Sequence, residues 1–193
     1  MALVLGLPGC HAAERAPAAP SSASPDAVKA EEAALFTRGR EAAARGDSVR
    51  AEQYLALAIQ RGYDEQRVLP VLLRACISSL HLRGALDHAE AYLVRHPEDG
   101  ALRYLTATIY LGLGQKDEAR AQLERLVHAA PETPSAQFLL GILDLQTDAS
   151  AAREHLRQYL ALAPLGEHGA EARSRLADLD VDLGAKRPRR VRR

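Results

Sequence analysis

One spacing constrains this chain more than any other. The pattern Gly-x-x-x-x-Ala recurs at Gly46/Ala51, Gly84/Ala89 and Gly114/Ala119, and a fourth copy centred on Thr147 and Ala152 lacks the glycine. The alanines lie 38, 30 and 33 residues apart (89−51, 119−89, 152−119). A second marker keeps the same beat, since Pro97, Pro131 and Pro164 are 34 and 33 apart (131−97, 164−131). A chain that repeats itself at this interval builds one supersecondary unit several times and buries its apolar faces by stacking the copies. The second copy, DHAEAYLVRHP, reads as about one helical turn shorter, which accounts for the 38/30 irregularity.

Each copy reads as two helices and a turn. The glycine permits the positive φ that closes a helix and lets the chain reverse. The alanine five residues later falls on the second helix, where a small side chain lets two backbones approach. Apolar residues follow at helical spacing: Leu55, Ala58 and Ile59, then Leu123, Leu126 and Val127, then Leu156, Tyr159 and Leu160. Proline then ends the unit. Composition agrees. Apolar residues make up 47% but aromatics only 4%, which favours a core of Leu, Ala, Val and Ile in helices over strands.

With these markers in place, the chain resembles the tetratricopeptide repeat family, whose period is about 34 residues. The stretch Leu102–Pro131 matches best, through Ala107, Tyr110, Gly114, Ala119, Leu123 and Pro131. The first copy keeps Leu35, Gly39, Gly46, Ala51 and Ala58, and Arg103 stands where the pattern wants a bulky apolar residue. The resemblance implies an all-α, right-handed solenoid of about four helical hairpins over residues 29–165. Residues 166–184, with the stripe Ala172, Leu176 and Leu179, read as a terminal helix that covers the last apolar face and stops at Gly184.

The ends differ in character from the repeats. Residues 1–10 close on Leu7-Pro8-Gly9-Cys10, which resembles the lipobox of bacterial lipoprotein signal peptides. In that family the cysteine is acylated after cleavage, which implies a membrane anchor on Cys10. With His11 rather than Asp after it, the sorting rule implies the periplasmic side of the outer membrane. The apolar run from Ala2 to Leu7 is shorter than the roughly 7 to 15 residues of a signal core, so a start upstream of Met1 is expected. Residues 11–28 are rich in Ala, Pro and Ser and read as a disordered tether. Residues 185–193 form a basic tail. The last eight, KRPRRVRR, hold six basic residues, which leaves the rest at 19 against 25 acids, or −6. The tail reads as a solvated end, with anionic lipid headgroups, lipopolysaccharide or nucleic acid as its functional alternatives; for a periplasmic protein no nucleic-acid partner is expected.

Little points to catalysis, and no cofactor or metal site is expected. The seven histidines are scattered without a metal-binding motif. His81 and His88 flank the Gly84 turn and so fall on opposed helices, where they could share an ion, but no carboxylate or cysteine is seen to complete the set. Cys76, inside LPVLLRACISSLHL, reads as a buried structural thiol. The family resemblance implies that function lies on the concave face lined by the first helix of each pair. Overlaying the copies places Phe36, Arg74, Tyr104 and Phe138 in one groove-facing row and Arg40, Ser78, Thr108 and Ile142 one turn on, with His81 near. Such a groove suits a protein or peptide partner, with aromatics against its apolar side chains and arginines on its carbonyls or carboxylates. The leading expectation is therefore a non-enzymatic interaction scaffold of the bacterial envelope. The alternatives are a cytosolic adaptor without a signal peptide, and an enzyme built on His81 and His88.

Overall fold

The computed structural model describes residues 24–185. Among them are nine α-helices and no strand. In chain order these are α1 (Pro25–Ala44), α2 (Ser48–Gln60), α3 (Glu65–Ser78), α4 (Leu82–Arg95), α5 (Gly100–Gly112), α6 (Lys116–Ala129), α7 (Pro134–Asp144), α8 (Ala149–Leu162) and α9 (Gly169–Ala185). Each helix packs on its neighbours in sequence, and α1 also meets α3. The architecture is the expected solenoid of four hairpins, with α9 laid against α8 through Ala172, Leu176 and Leu179. None of the described helices is long and apolar enough to cross a membrane. Cys10, most of the tether and the basic tail from residue 186 on lie outside the described residues.

The hairpin turns correct the sequence register. After α1, α3 and α5 the same closure recurs. The N–H groups of Asp47, His81 and Gln115 donate to the carbonyls of Ala42, Cys76 and Tyr110, five residues back, at 3.0, 2.8 and 2.9 Å. That bond requires a left-handed residue just before it. Gly46 (φ 77°), Leu80 (φ 59°) and Gly114 (φ 75°) supply it. These positions are 34 apart (80−46, 114−80). The expected turn at Gly84 is therefore wrong: Gly84 lies inside α4, and Leu80 makes the turn. The 38/30 irregularity disappears, because Ala85 rather than Ala89 is the counterpart of Ala51 and Ala119, and all three are completely buried. Leu80 hid the pattern because a left-handed backbone costs a residue with a Cβ about 1–2 kcal/mol. Its side chain is 81% exposed, so no burial offsets that cost. The fourth turn is shorter by one residue. Asp148 N–H donates to Asp144 only four residues back, which needs no left-handed residue and explains the spacing of 33.

Between hairpins the prolines act as expected. His96, Ala130 and Ala163 cap α4, α6 and α8 with φ between −129° and −141° and ψ between 64° and 77°. This backbone lies outside the helical region, which a following proline disfavours. After α2, where no proline stands, Gly62 (φ 101°) turns the chain instead. At the start of the array, α1 begins at Pro25, inside the segment read as tether. Ser24 caps it through the Ala27 N–H, and Pro at the first position suits a helix start. At the far end α9 begins at Gly169 and runs through Gly184.

Within each hairpin one position pair sets how closely the helices approach. A Cβ on Gly39 would stand 2.6 Å from Leu55 Cδ2, and one on Gly141 would stand 2.8 Å from Leu156 Cδ2. Ala107 and Leu123 occupy the equivalent positions in α5 and α6, and both are fully buried. In the second hairpin the sizes are exchanged, with Leu73 on α3 and Ala89 on α4, both in the core. One large and one small side chain fill the gap in every copy. Arg103, the apparent misfit, is buried with its guanidinium donating to the Pro97 carbonyl (2.6 Å) and to Gln122 Oε1 (3.0 Å). Gln137, 34 residues on, repeats this by donating to the Pro131 carbonyl at 3.0 Å.

Two outcomes are expected. Leu80→Gly should raise the unfolding free energy by about 1 kcal/mol in denaturant melts, because it relieves the left-handed leucine. Gly39→Leu should destabilise by roughly 1–3 kcal/mol through overpacking. Adding Leu55→Ala should recover much of that loss by copying the Leu73/Ala89 arrangement; a double variant no more stable than Gly39→Leu alone would refute the size-exchange account.

Candidate functional site

The first helices α1, α3 and α5 line a continuous groove. At its α1/α3 end is a cavity of about 820 Å³ whose lining includes Phe36, Arg40, Gln66, Arg67, Arg74 and Ser78. Towards α5 it continues into a cavity of about 410 Å³ between Leu73, Arg74, Ile77 and Leu105, and into a further one of about 500 Å³ lined by Leu69, Leu73, Tyr92, Ala101, Leu102 and Leu105. Pro70 borders all three. It sits in the interior of α3, has no N–H, and so leaves the Gln66 carbonyl without its helical donor. Gln66 lines both of the larger cavities.

The two ends of the groove differ in chemistry. The α1/α3 end carries three guanidinium groups and no carboxylate in its lining. Among the described residues, none of the three arginines forms an ion pair. Their positions are partly fixed by stacking. Phe36 and Tyr63 lie face to face with centroids 4.9 Å apart. Arg40 Cζ stands 5.7 Å from the Phe36 centroid and Arg67 Cζ 5.9 Å from it, with Arg67 also 5.7 Å from Tyr63. The α3/α5 end is apolar, with Asp99 at its edge. There the Asp99 carboxylate is committed to capping α5 through the Leu102 N–H.

The corrected register redraws the predicted rows. Phe36, Pro70, Tyr104 and Phe138 now share one row, and Arg40, Arg74, Thr108 and Ile142 the next, each 34 apart (70−36, 104−70, 138−104). The earlier overlay set Arg74 with Phe36 and Ser78 with Arg40, which is one helical turn off in the second copy. Of the predicted residues, the structure brings Phe36, Arg40, Arg74 and Ser78 to one cavity. Phe36 is largely enclosed there, at 8% exposure. Tyr104 and Thr108 are half-buried on α5, Tyr104 packing on the cluster of Ala107, Leu123 and Leu126, and Thr108 Oγ1 donating to the Leu105 carbonyl at 2.7 Å. Phe138 is a core residue stacked on His168 at 4.2 Å and tilted against Tyr159, and Ile142 packs on the same cluster.

His81 leaves the groove altogether. It caps the N-terminus of α4, and His88 lies inside the same helix, so the two are not on opposed helices. Both face Glu52 of α2: His81 Nδ1 is 2.9 Å from Glu52 Oε2, and His88 Nε2 is 3.4 Å from Oε1. Cys76, buried as expected, has its Sγ within 4.8 Å of the same carboxylate; burial first and the Glu52 charge second push its thiol up to about 12. A carboxylate and a cysteine therefore do join the histidine pair. Reading the sequence missed Arg67, Pro70 and Glu52. A register fixed at 34 would have aligned Pro70 with Phe36, but nothing in the sequence links Glu52 to residues some 30 positions away.

Comparison with known proteins supports the architecture. Residues 81–142 match the tetratricopeptide repeat family model. A comparison with curated proteins finds no match. Among solved structures, the chain is similar to a tetratricopeptide repeat protein from Parabacteroides merdae ATCC 43184, with a TM-score of 0.69 and 19% identity over 80% of this chain. It spans 62% of that protein's length. It is also similar to MamA from Desulfovibrio magneticus RS-1, with a TM-score of 0.63 and 19% identity over 80% of this chain and 86% of that one. A third likeness is to YrrB, whose structure is that of a tetratricopeptide repeat protein with an unusual peptide-binding site (TM-score 0.61, 16% identity, 76% of each chain). At these identities the likeness is one of fold.

Proposed function

We propose that this tetratricopeptide-repeat protein is a non-catalytic binding scaffold that holds an extended, acidic segment of a partner protein in the α1/α3/α5 groove. The observation that carries this reading is the cluster of Arg40, Arg67 and Arg74 in a lining without a carboxylate. Guanidinium groups fit carboxylates through paired, charge-assisted hydrogen bonds. Stacking on Phe36 and Tyr63 holds two of them in place, which lowers the ordering cost of binding. The adjoining apolar cavity at Leu69, Leu73 and Leu102 offers room for a side chain such as leucine or phenylalanine from the same segment. The Gln66 carbonyl, lacking a helical donor, can accept a peptide N–H. The peptide-binding site of YrrB, on the same fold, is consistent with such use. The partner thus carries acidic residues beside an apolar anchor.

Arg74 is the better probe, since loss of Phe36 also opens the core. Arg74→Glu should weaken binding of acidic–apolar peptides about tenfold or more, or ~1.4 kcal/mol, in fluorescence anisotropy, with binding to the unaltered chain falling as salt rises. Peptides selected from a random library against the unaltered chain should be enriched in Asp and Glu. No such enrichment, or equal binding by Arg74→Glu, would sink the proposal.

We further propose that the protein is held in the bacterial envelope, at the periplasmic side of the outer membrane, by acyl chains on Cys10. The support is the tetrapeptide Leu7-Pro8-Gly9-Cys10, followed by His11 and the Ala/Pro/Ser-rich stretch that would serve as tether. Mass spectrometry of the N-terminus after membrane fractionation should find acylated Cys10. An intact Met1 in the soluble fraction would point to the cytosolic adaptor instead.

A further inference from the structure

The cluster around Glu52 has the make-up of a metal site. One Glu52 oxygen, Cys76 Sγ and a His81 ring nitrogen all lie within 4.8 Å of one another. His88 Nε2 lies outside this group but stands 3.4 Å from the other Glu52 oxygen, where it is the nearest available fourth donor. The four residues come from α2, α3, the α3–α4 turn and α4, so the hairpin packing itself brings them together. Two imidazoles, a thiol and a carboxylate are the donor types that zinc selects, in its usual number for a structural site. On a tetrahedral zinc ion, with bonds of about 2.0–2.3 Å, donor atoms stand roughly 3.5 Å apart. Closing Glu52, Cys76 and His81 onto an ion therefore asks for a contraction of up to about 1.3 Å, and His88 has to swing in towards them.

A second observation concerns Gly84, which the turn does not use. A Cβ at Gly84 would lie 2.5 Å from His81 Cε1 and 2.7 Å from its Nδ1. The bare glycine leaves the space in which the His81 ring sits against α4, facing Glu52. His81 is the most exposed donor, its side chain 55% accessible, which gives an ion a path in from solvent. Cys76, only 1% exposed, closes the inner side.

We propose that Glu52, Cys76, His81 and His88 form a binding site for a zinc-class divalent cation that ties the first hairpin to the second. The thiol proton leaves to solvent as the Sγ–metal bond forms, and the ion's charge offsets the repulsion between thiolate and carboxylate. With four protein donors no coordination position is left open, so the ion is structural rather than catalytic.

The test uses the full chain carrying Cys10→Ser, so that Cys76 is its single thiol, after treatment with a chelator. Isothermal titration with zinc and native mass spectrometry should show one ion per chain and a raised melting temperature. Cobalt in place of zinc should give a thiolate-to-cobalt charge-transfer band that Cys76→Ser abolishes. His81→Asn, at an exposed position, keeps the test valid if Cys76→Ser fails to fold; it should weaken zinc binding about tenfold or more. A chain that takes up no zinc, cobalt binding without the thiolate band, or zinc affinity unchanged in both His81→Asn and His88→Asn would each overturn the proposal.

Discussion

Everything in this fold depends on how near the two helices of a hairpin can come. The distance is set by a matched pair, one side chain small and the other large, at Gly39/Leu55, Ala107/Leu123 and Gly141/Leu156. Interiors packed at crystal-like density tolerate neither a void nor an extra methylene at such a contact. The second hairpin shows that the pairing of sizes matters more than which helix carries each, since Leu73 with Ala89 keeps the volume of Ala107 with Leu123 while exchanging the two positions. The buried alanines Ala51, Ala85, Ala119 and Ala152 extend the close approach along each second helix. Only with this spacing fixed do successive hairpins stack, their three buried clusters following one another from Leu35 on α1 to Leu179 on α9.

That packing in turn builds the groove. Helices α1, α3 and α5 stand side by side because α2 and α4 lie behind them. Phe36 closes the core beneath and offers a ring face to Arg40 and Arg67. Arg74 reaches the same cavity one repeat on from Arg40. The arginines are thus a surface property of positions whose neighbours are structural. The same residues in an unstacked hairpin would be ordinary solvated side chains. The rest of the body, with its acidic excess, sets off this basic end electrostatically.

Much of the architecture was legible in the sequence because it follows from backbone rules that particular residue types obey. Pro97, Pro131 and Pro164 dictate the conformation of the residues before them, and Gly46 and Gly114 take a backbone that other residues avoid. Legibility failed where a residue broke its own rule. Leu80 holds a glycine's conformation, so in the sequence the nearby Gly84 mimics the turn and shifts the apparent second copy by four residues. The slip passed into the site, pairing Arg74 with Phe36 instead of Arg40. Ser24-Pro25-Asp26 read as tether by composition, yet it is also a helix start. The Glu52 cluster was invisible for a different reason. Its members share no motif, and only tertiary packing brings residues 52, 76, 81 and 88 together.

Groove and cluster meet on α3. Pro70, Arg74 and Ser78 face the groove, while Cys76 on the opposite side of the same helix faces Glu52. A helix fixed at Cys76 is fixed in rotation about its own axis as well. An ion held by Cys76, Glu52, His81 of the α3–α4 turn and His88 of α4 would therefore set the height and direction from which Arg74 reaches its ligand. The interior proline makes such bracing useful, since α3 lacks one internal hydrogen bond near its middle and is the more compliant for it. The two proposed sites would then be coupled through a single helix, by rigid packing and without any change of fold. Cation binding should be felt first at Arg74, and far less at Phe36 on α1.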